Sequence, residues 1–336
     1  FQSAGQRCSA LRVLYLQEDV ADRMLEMLFG AMDALQLGDP WKLKTDVGPV
    51  IDAAAKAKIM NHINAARAAG KVLKDVAYPT EGTFVPPTVI AVNGIGDVKE
   101  EIFGPVLHVA RFKSAELDQV IADINGTGFG LTFGLHTRID DRVTTVTERV
   151  MAGNIYVNRN QIGAVVGSQP FGGEGLSGTG PKAGGPAYLG RFTAPPRERV
   201  AMDAAQTVPR DALQVALKGM QAPTTILSRE ALPGPTGESN VLSTFGRGTA
   251  LCLGPGREVA LAQAAVARGA GCHTLCVASG LRATEGLSGR VAPEDLAALD
   301  GMDLVICQGD DTFFQAYRRA LASRPGRLIP LVAEAD

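Results

Sequence analysis

The sequence predicts an α/β protein, and three observations point to that class. Segments with a helical spacing of apolar residues alternate with short β-like runs, for example residues 20–37 and 84–92. From Thr249 a strand, a Gly254-Pro255-Gly256 turn, an alanine-rich helix and a second strand follow in the order of a βαβ unit. The 336 residues, of which 46% are hydrophobic, suffice for about two domains. We therefore expect parallel sheets covered by helices.

Composition and charge exclude several classes of protein. Lys and Arg number 33 against 35 Asp and Glu, so no global basic field attracts nucleic acid or an anionic membrane. The cysteines, at 8, 252, 272, 276 and 307, are odd in number and spread over a long chain, which argues against a disulfide framework and for a reducing compartment. No signal peptide and no run long enough to span a bilayer is evident. We expect a cytoplasmic protein, and a peripheral position at the inner membrane stays open.

The first half of the chain predicts helices and strands in alternation. An apolar run at residues 11–16 follows Cys8 and fits either a helix or a strand. Turn residues such as Gly38-Asp39-Pro40 separate the later elements. The predicted helices cover 20–37, 52–70, 114–125 and 141–150, and the predicted strands cover 71–77, 84–92 and 153–158.

The second half predicts a linker at 194–222 and a smaller α/β module at 223–336. Residues 250–253, 273–278 and 304–307 have the character of parallel strands. Pro255 removes one N–H donor that a phosphate cradle in its turn would need, which favours a structural module over a nucleotide site. Cys272, His273 and Cys276 lack a second pair of ligands, so buried thiols are favoured over a metal site.

Cys8 is the candidate nucleophile. It lies in a small polar turn, residues 1–10, directly before an apolar run. A reactive thiolate needs positive potential and access to solvent, and Arg7 with backbone amides entering a helix would supply that potential. A small buried thiol is the alternative, because free cysteine is among the most buried residue types. The local residues leave both interpretations open.

Two further stretches contain candidate binding groups. Glu101 and Phe103 precede a Gly104-Pro105 turn, where a carboxylate can accept two hydrogen bonds from a ribose diol. Taken alone, a solvated acidic group and a core phenylalanine are the commoner interpretation. The glycine-rich segment 168–186 has too little apolar surface for core packing. It is therefore either a disordered linker or a loop that exposes backbone N–H groups to an anion.

Four motifs together resemble the catalytic half of the aldehyde dehydrogenase superfamily, in order and in approximate spacing. They are Gly5-Gln6-Arg7-Cys8-Ser9, Glu101-Ile102-Phe103-Gly104-Pro105, the loop 125–131, and Pro170-Phe171-Gly172-Gly173. Cys8-Ser9 and the segment 182–192 are most similar to the L-glutamate γ-semialdehyde (Δ1-pyrroline-5-carboxylate) dehydrogenase branch. Residues 232–240 and the module after them resemble the C-terminal part of bifunctional bacterial proline-utilisation flavoenzymes. The resemblance implies an aldehyde dehydrogenase catalytic domain at 1–193 and a Rossmann-like module at 223–336.

The resemblance implies a chemical role for three residues of the first half. Cys8 would attack the aldehyde carbon to give a thiohemiacetal, and its own backbone N–H would help to hold the oxyanion. A hydride would pass to NAD, and water would hydrolyse the thioester to release L-glutamate. Glu101 would hold the nicotinamide-ribose hydroxyls, and Phe103 would pack by the nicotinamide ring.

The resemblance also implies how the substrate is held and what surrounds this segment. Ser9 and the amides of Gly184 and Gly185 would bind the substrate's α-carboxylate, and Phe192 would cover its aliphatic stem. The family's oxyanion-hole Asn, general-base Glu and dinucleotide-binding turn precede the cysteine. We therefore expect an internal segment of a longer polypeptide, incomplete at both ends and inactive by itself. An FAD-dependent proline dehydrogenase would lie upstream in that polypeptide, and a homo-oligomer is compatible with the resemblance.

Two other functions stay open at this point. A non-catalytic scaffold or lid of an aldehyde dehydrogenase assembly fits residues 249–336, but it has no need for an accessible cysteine. A Cys-His hydrolase would require a histidine poised beside Cys8. The candidates are His62, His108, His136 and His273. Dependence of the activity on NAD separates the dehydrogenase from the hydrolase.

Overall fold

The computed structural model describes residues 1–193, 205–220 and 226–333. The contacts divide the chain into two compact units, Phe1–Gly163 and Ala164–Asp336. The predicted linker 194–222 lies partly outside the described residues. Its described part contains a helix whose Leu213 and Leu217 are fully buried. The domain boundaries at 193 and 222 stay predictions.

The first unit is built on a four-stranded sheet with the order β1-β4-β3-β2. Strands β1, β4 and β3 pair in parallel, and β2 pairs with β3 in the antiparallel sense. The strands are β1 (Val13–Gln17), β2 (Val72–Asp75), β3 (Thr88–Ala91) and β4 (Val106–Phe112). Five consecutive buried residues make β4 a central strand, as expected for a parallel sheet covered on both faces.

Two helices cover opposite faces of this sheet. Helix α1 (Glu18–Asp33) packs its buried Ala21, Leu25 and Met32 on the face that carries Val89, Leu107 and Val109. Helix α2 (Ala53–Ala68) packs Ile59 and Ile63 on the face that carries Ile90 and Val106. Alternate residues of a strand point to opposite faces, so neighbouring strand positions supply both cores. Asp52 caps α2 by accepting the Ala55 N–H at 2.7 Å.

The rest of the first unit surrounds a small third core. Strands β6 (Thr132–Leu135) and β7 (Asn154–Val157) pair in parallel, and a two-residue strand β5 (Phe129–Gly130) precedes them. Helices α3 (Leu117–Gly126) and α4 (Asp140–Thr147) supply buried Ile121 and Val146. The predicted helices at 114–125 and 141–150 are confirmed to within a few residues, as is the predicted strand at 153–158.

The second unit contains a five-stranded parallel sheet with the order β13-β12-β11-β14-β15. The strands are β11 (Thr249–Leu253), β12 (His273–Ala278), β13 (Leu287–Ser288), β14 (Leu304–Cys307) and β15 (Leu331–Ala333). Counted from β11, the order is third, second, first, fourth and fifth, as in the first five strands of a dinucleotide-type sheet. The predicted Rossmann-like α/β class is thereby confirmed.

Helices pack on both faces of this sheet. They are α5 (Arg210–Lys218), α6 (Arg257–Gly269), α7 (Pro293–Leu296) and α8 (Asp311–Ala322). Small residues Ala260, Ala264 and Ala267 let α6 lie close to β11 and β12. On the other face Tyr317 of α8 is buried and donates its hydroxyl to the Val291 carbonyl at 2.7 Å. The fully buried Leu251 and Leu253 of β11 each contribute about 1.5–3 kcal/mol.

An antiparallel hairpin completes the second unit. Strands β9 (Ile226–Leu232) and β10 (Asn240–Phe245) form it, and a two-residue strand β8 (Glu174–Gly175) lies earlier in the chain. The hairpin is attached to the glycine-rich segment, since Gln169 Nε2 donates to Glu238 Oε1 at 3.0 Å. None of the described helices is long and apolar enough to cross a membrane.

Candidate functional site

Cys8 is solvent-exposed, in a turn between a short 3-10 helix (Gln2–Gly5) and β1. Ala4, within that 3-10 helix, is buried in the core beneath α2, so the turn is anchored at its start. No helix begins at Cys8, so backbone amides entering a helix do not supply the positive potential that was expected there. The apolar run after Cys8 continues as a strand because it pairs with β4. The charge of Arg7 is directed to Ser3, whose Oγ accepts from Arg7 Nε at 3.0 Å.

The Cys8 loop, residues 5–9, lies directly against the Glu101 loop, residues 101–105. Gly5 has a left-handed backbone conformation with φ +66°, and a methyl group added to it would overlap the Gly104 carbonyl. Glycine accommodates both the conformation and the close approach. A side chain on Gly104 would in turn meet Ile59 of α2. The two loops therefore pack backbone to backbone.

Arg12 joins the two loops through a single guanidinium group. Its Nη1 donates to the Gly5 carbonyl at 2.7 Å, and its Nη2 donates to the Arg7 carbonyl at 3.0 Å. Its Nε donates to Glu101 Oε1 at 3.0 Å, and its guanidinium carbon lies 4.7 Å from the centre of the Phe103 ring. The structure thus brings together the two loops that carry Cys8, Glu101 and Phe103, three residues that the sequence singled out.

Glu101 and Phe103 both remain accessible to a ligand. The Glu101 side chain is 54% exposed, whereas that of Arg12 is 17% exposed. Phe103 is 41% exposed, although it follows the fully buried Ile102. The alternative of a core phenylalanine is therefore wrong for this ring. An accessible carboxylate and an accessible ring lie beside the loop that carries the exposed thiol.

Ser9 is buried and already has a partner. Its Oγ accepts from the Gly163 N–H at 3.1 Å, and Gln161 Nε2 donates to its carbonyl at 3.5 Å. Tyr156 holds the same segment, because its hydroxyl donates to the Gly163 carbonyl at 2.9 Å. The Ser9 hydroxyl keeps its proton for one further hydrogen bond. Sequence reasoning missed Gln161 and Gly163, whose contacts with Ser9 bridge about 150 residues of chain.

Two histidines form a pair behind the Cys8 loop. His62 Nε2 and His108 Nε2 lie 2.9 Å apart, and His108 Nδ1 lies 3.0 Å from the Arg12 carbonyl. Burial lowers the pKa of both rings. Both hydrogen bonds form when His108 donates from Nδ1 to the Arg12 carbonyl and accepts at Nε2 from the Nε2–H of His62. The hydrogen bonds of the pair run to each other and to the Arg12 carbonyl, and within the described residues neither ring contacts the Cys8 thiol, so the pair gives no support to a Cys-His hydrolase.

The remaining predicted residues lie in the second unit. Gly184 is exposed with φ +71°, and the Gly185 N–H donates to the Lys182 carbonyl at 3.1 Å. An anion that binds the Gly185 N–H would therefore have to replace the Lys182 carbonyl as the acceptor of that hydrogen bond. Phe192 is 76% exposed and meets Tyr188 edge to face at 5.6 Å. The glycine-rich segment consists of ordered turns, not a disordered linker, and the roles of Gly184, Gly185 and Phe192 stay predictions.

The turn at Gly254-Pro255-Gly256 leads into α6, and buried thiols lie nearby. Cys252, Cys272, Cys276 and Cys307 are all buried, which confirms the prediction of buried thiols for Cys272 and Cys276. Within the described ranges, no group of three or more His, Cys, Asp or Glu side chains is placed to hold a metal ion.

Comparison with known proteins relates the chain to dehydrogenases of one family. The bifunctional protein PutA of Klebsiella aerogenes is 43% identical over 98% of this chain and 28% of its own length. A variant of PutA from Bradyrhizobium japonicum has a crystal structure with 55% identity and a TM-score of 0.55, over 57% of this chain and 20% of that one. A 1-pyrroline-5-carboxylate dehydrogenase from Thermus, solved with bound NAD, has 35% identity and a TM-score of 0.51, over 55% of this chain and 36% of that one.

The chain thus spans less than a third of the length of the curated PutA relative. The aldehyde dehydrogenase family model matches residues 1–195. That range contains the Cys8 loop, the Glu101 loop and the glycine-rich segment. This chain therefore belongs to the aldehyde dehydrogenase family.

Proposed function

We propose that this chain forms part of an NAD-dependent dehydrogenase that oxidises L-glutamate γ-semialdehyde to L-glutamate. One observation carries the proposal: a single guanidinium, that of Arg12, joins the loop of an exposed cysteine to an accessible carboxylate and ring. The semialdehyde is the open form of Δ1-pyrroline-5-carboxylate, which the name of the Thermus relative specifies as its substrate.

Cys8 performs the covalent step. Its sulfur attacks the aldehyde carbon to form a thiohemiacetal, and the Cys8 backbone N–H helps to hold the oxyanion. Loss of a hydride from that carbon leaves a thioester on Cys8. Water then cleaves the C–S bond, which releases the carboxylic acid and restores the thiol.

The residues present fit a nicotinamide nucleotide. Glu101 has one carboxylate oxygen on Arg12 and a second with which to accept from ribose hydroxyls, and its side chain is 54% exposed. Phe103 offers an accessible ring on the same loop. When bound, NAD supplies the acceptor for the hydride. Glu101 and Phe103 fix its nicotinamide end, and so set the geometry in which the reaction occurs.

The substrate's α-carboxylate is held by Ser9 and by the backbone of Gly184 and Gly185. Ser9 has a hydroxyl proton to donate, and the exposed Gly184 lets a ligand approach the backbone closely. Phe192 covers the aliphatic part of the substrate, which is compatible with its exposed ring.

The complete polypeptide extends beyond this segment. Its upstream part is a proline dehydrogenase that binds FAD and supplies the semialdehyde's precursor. We also propose that the polypeptide is cytoplasmic, and both a peripheral position at the inner membrane and a homo-oligomer are compatible with this proposal. The similarity to the bifunctional protein PutA over 98% of this chain supports the upstream proline dehydrogenase.

NADH formation by the full-length polypeptide tests the proposal. The assay supplies Δ1-pyrroline-5-carboxylate and NAD to the wild type, to Cys8→Ala and to the control Cys272→Ala, which removes a buried thiol. We expect Cys8→Ala to lose at least about 10³-fold in kcat while it still binds NAD, because the nucleophile is gone. The control should turn over like the wild type.

Two results would contradict the proposal. A folded wild type that forms no NADH would leave a scaffold or lid as the function of the chain. Turnover by Cys8→Ala at the wild-type rate would remove Cys8 from the chemistry.

A further inference from the structure

Arg12 lies at the centre of the contacts between the Cys8 loop and the Glu101 loop. We infer that Arg12 is a positioning residue that orients the Cys8 backbone N–H and the Glu101 carboxylate at the same time. The inference rests on the proposed dehydrogenase function. Because one rigid group bonds to both loops, binding of the nucleotide and alignment of the nucleophile are coupled.

On the nucleophile side, Arg12 acts through a peptide group. The Arg7 carbonyl and the Cys8 N–H belong to one planar peptide unit, and they point in opposite directions. Arg12 Nη2 donates to that carbonyl at 3.0 Å, which fixes the direction of the N–H. A cation at the carbonyl also polarises the peptide and makes its N–H a stronger donor. Arg12 thus prepares the oxyanion donor without contact with the substrate.

On the nucleotide side, Arg12 holds the two groups that face the ligand. Its Nε donates to Glu101 Oε1 at 3.0 Å, which leaves the second oxygen of the carboxylate for ribose hydroxyls. Its guanidinium carbon lies 4.7 Å from the centre of the Phe103 ring, within cation–π distance. The two groups proposed to hold the nicotinamide end are therefore both supported by Arg12.

Only arginine meets these requirements at this position. A guanidinium carries five donors in a planar fork, whereas a lysine ammonium is a point charge that cannot reach several acceptors in one plane. The backbone of Arg12 is itself fixed, because the His108 N–H donates to its carbonyl at 3.0 Å at the start of β1. The side chain is 17% exposed, so its bonds are only partly screened by water.

Arg12→Lys in the full-length polypeptide tests the inference, with Arg67→Lys as the matched control. Arg67 is an ion-paired arginine of the same unit whose partners are Asn64 and Asp75. We expect Arg12→Lys to raise the Kd for NAD about tenfold. We also expect it to lower kcat about tenfold or more, because the oxyanion donor is misaligned. Arg67→Lys should change neither value.

A double-mutant cycle separates the two sides of Arg12. In a Glu101→Gln background, Arg12→Lys should change the Kd for NAD less than it does in the wild type, because only the contact with Phe103 remains, yet it should still lower kcat. Additive losses of NAD affinity would overturn the link through Glu101. If the wild type turns over and Arg12→Lys matches Arg67→Lys in both constants, the inference fails while the proposed function stands. A wild type without activity would instead defeat the proposed function itself.

Hydrogen exchange on the wild type gives a second test, which needs no folded variant of Arg12. NAD added to the full-length polypeptide should slow amide exchange at residues 101–104 and at residues 5–10 together. Protection confined to residues 101–104 would show that the two loops respond independently, and it would overturn the coupling.

Discussion

The exposed cysteine of the first unit and the buried cysteines of the second place the same side chain in opposite surroundings. Cys8 lies on a turn whose backbone is held by the charged side chain of Arg12. Cys252, Cys276 and Cys307 lie on strands of a parallel sheet and are at most 2% exposed. Hydrogen bonds from Arg12 to its carbonyls hold the first loop, whereas backbone hydrogen bonds between strands and packing against helices on both faces hold the sheet. This difference in support leaves one thiol accessible and makes the others part of the core.

The buried thiols lie close together without forming a reactive site. Cys252 and Cys276 are register partners on β11 and β12, and both face α6. Contact with the Cys276 thiol and burial raise the pKa of Cys252. A thiol that stays protonated is a poor nucleophile, which applies to Cys252. The hydrogen bond with Cys252 lowers the pKa of Cys276, but that side chain is only 2% exposed, so both cysteines act as small apolar side chains.

Alkylation rates should show the largest difference between the two regions. In the native full-length polypeptide we expect iodoacetamide to modify Cys8 at least about 100-fold faster than Cys252, Cys276 or Cys307, because the buried thiols react only after the sheet opens. Peptide mass spectrometry over a time course measures each rate. Equal rates would remove the distinction between the two environments.

Serine substitution of a cysteine should lower stability more in the second unit than in the first, whereas alkylation should be faster in the first. Cys276→Ser places a hydroxyl in a tightly packed core, and we expect it to destabilise the second unit by about 1–3 kcal/mol. Cys8→Ser should change stability by less than about 0.5 kcal/mol, because its side chain is exposed. Protection of the β11 and β12 amides from hydrogen exchange measures the first effect. A loss of protection in Cys8→Ser as large as in Cys276→Ser would contradict the comparison.

A methyl group at Gly5 should disturb the Cys8 loop without touching the thiol. Gly5 and Gly70 have nearly the same backbone angle, φ +66° and +68°, but only a methyl group on Gly5 would overlap another residue, at the Gly104 carbonyl. We expect Gly5→Ala to lower kcat about tenfold relative to Gly70→Ala, because the overlap displaces the nucleophile. Equal kcat values in the two variants would show that the close approach of the loops does not matter.

A fall in pH should lower the stability of the first unit, because its two paired histidines take up protons. We expect this effect to be smaller than those of the substitutions above. Burial lowers the pKa of His108, so the unfolded chain binds a proton at about 6.5 while the folded chain does so only at lower pH. Stability is therefore lost as the pH falls below about 6.5. Neighbouring charges act in both directions, since Glu100 raises the pKa of His62 and Arg12 lowers that of His108.

Protection factors of the β4 amides at about pH 7.5 and about pH 5.5 measure this loss. His108→Leu should flatten the dependence on pH, whereas the exposed His136→Gln should keep it. An unchanged slope in His108→Leu would assign the acid sensitivity to other groups.

Sequence patterns predicted most of the fold. The βαβ unit of the second half was predicted from its strand, turn and helix pattern, and the observed bounds Thr249–Leu253 and His273–Ala278 agree with it. The helix predicted at 20–37 is observed as Glu18–Asp33, so its start and end are shifted by a few residues. Four motifs in order predicted the family, which the match over residues 1–195 confirms. The roles of Ser9, Gly184, Gly185 and Phe192 stay predictions.

The sequence by itself determined the alternation of strands and helices, the burial of Cys272 and Cys276, and the family, because these follow from local periodicity and from motifs of neighbouring residues. Only the tertiary structure decided that Cys8 is exposed and that Arg12 joins its loop to Glu101, 89 residues away. It also decided that His62 and His108 share a hydrogen bond. Such contacts form because the sheet brings together loops that are far apart in the sequence. A local pattern of residue types does not predict which distant loops meet.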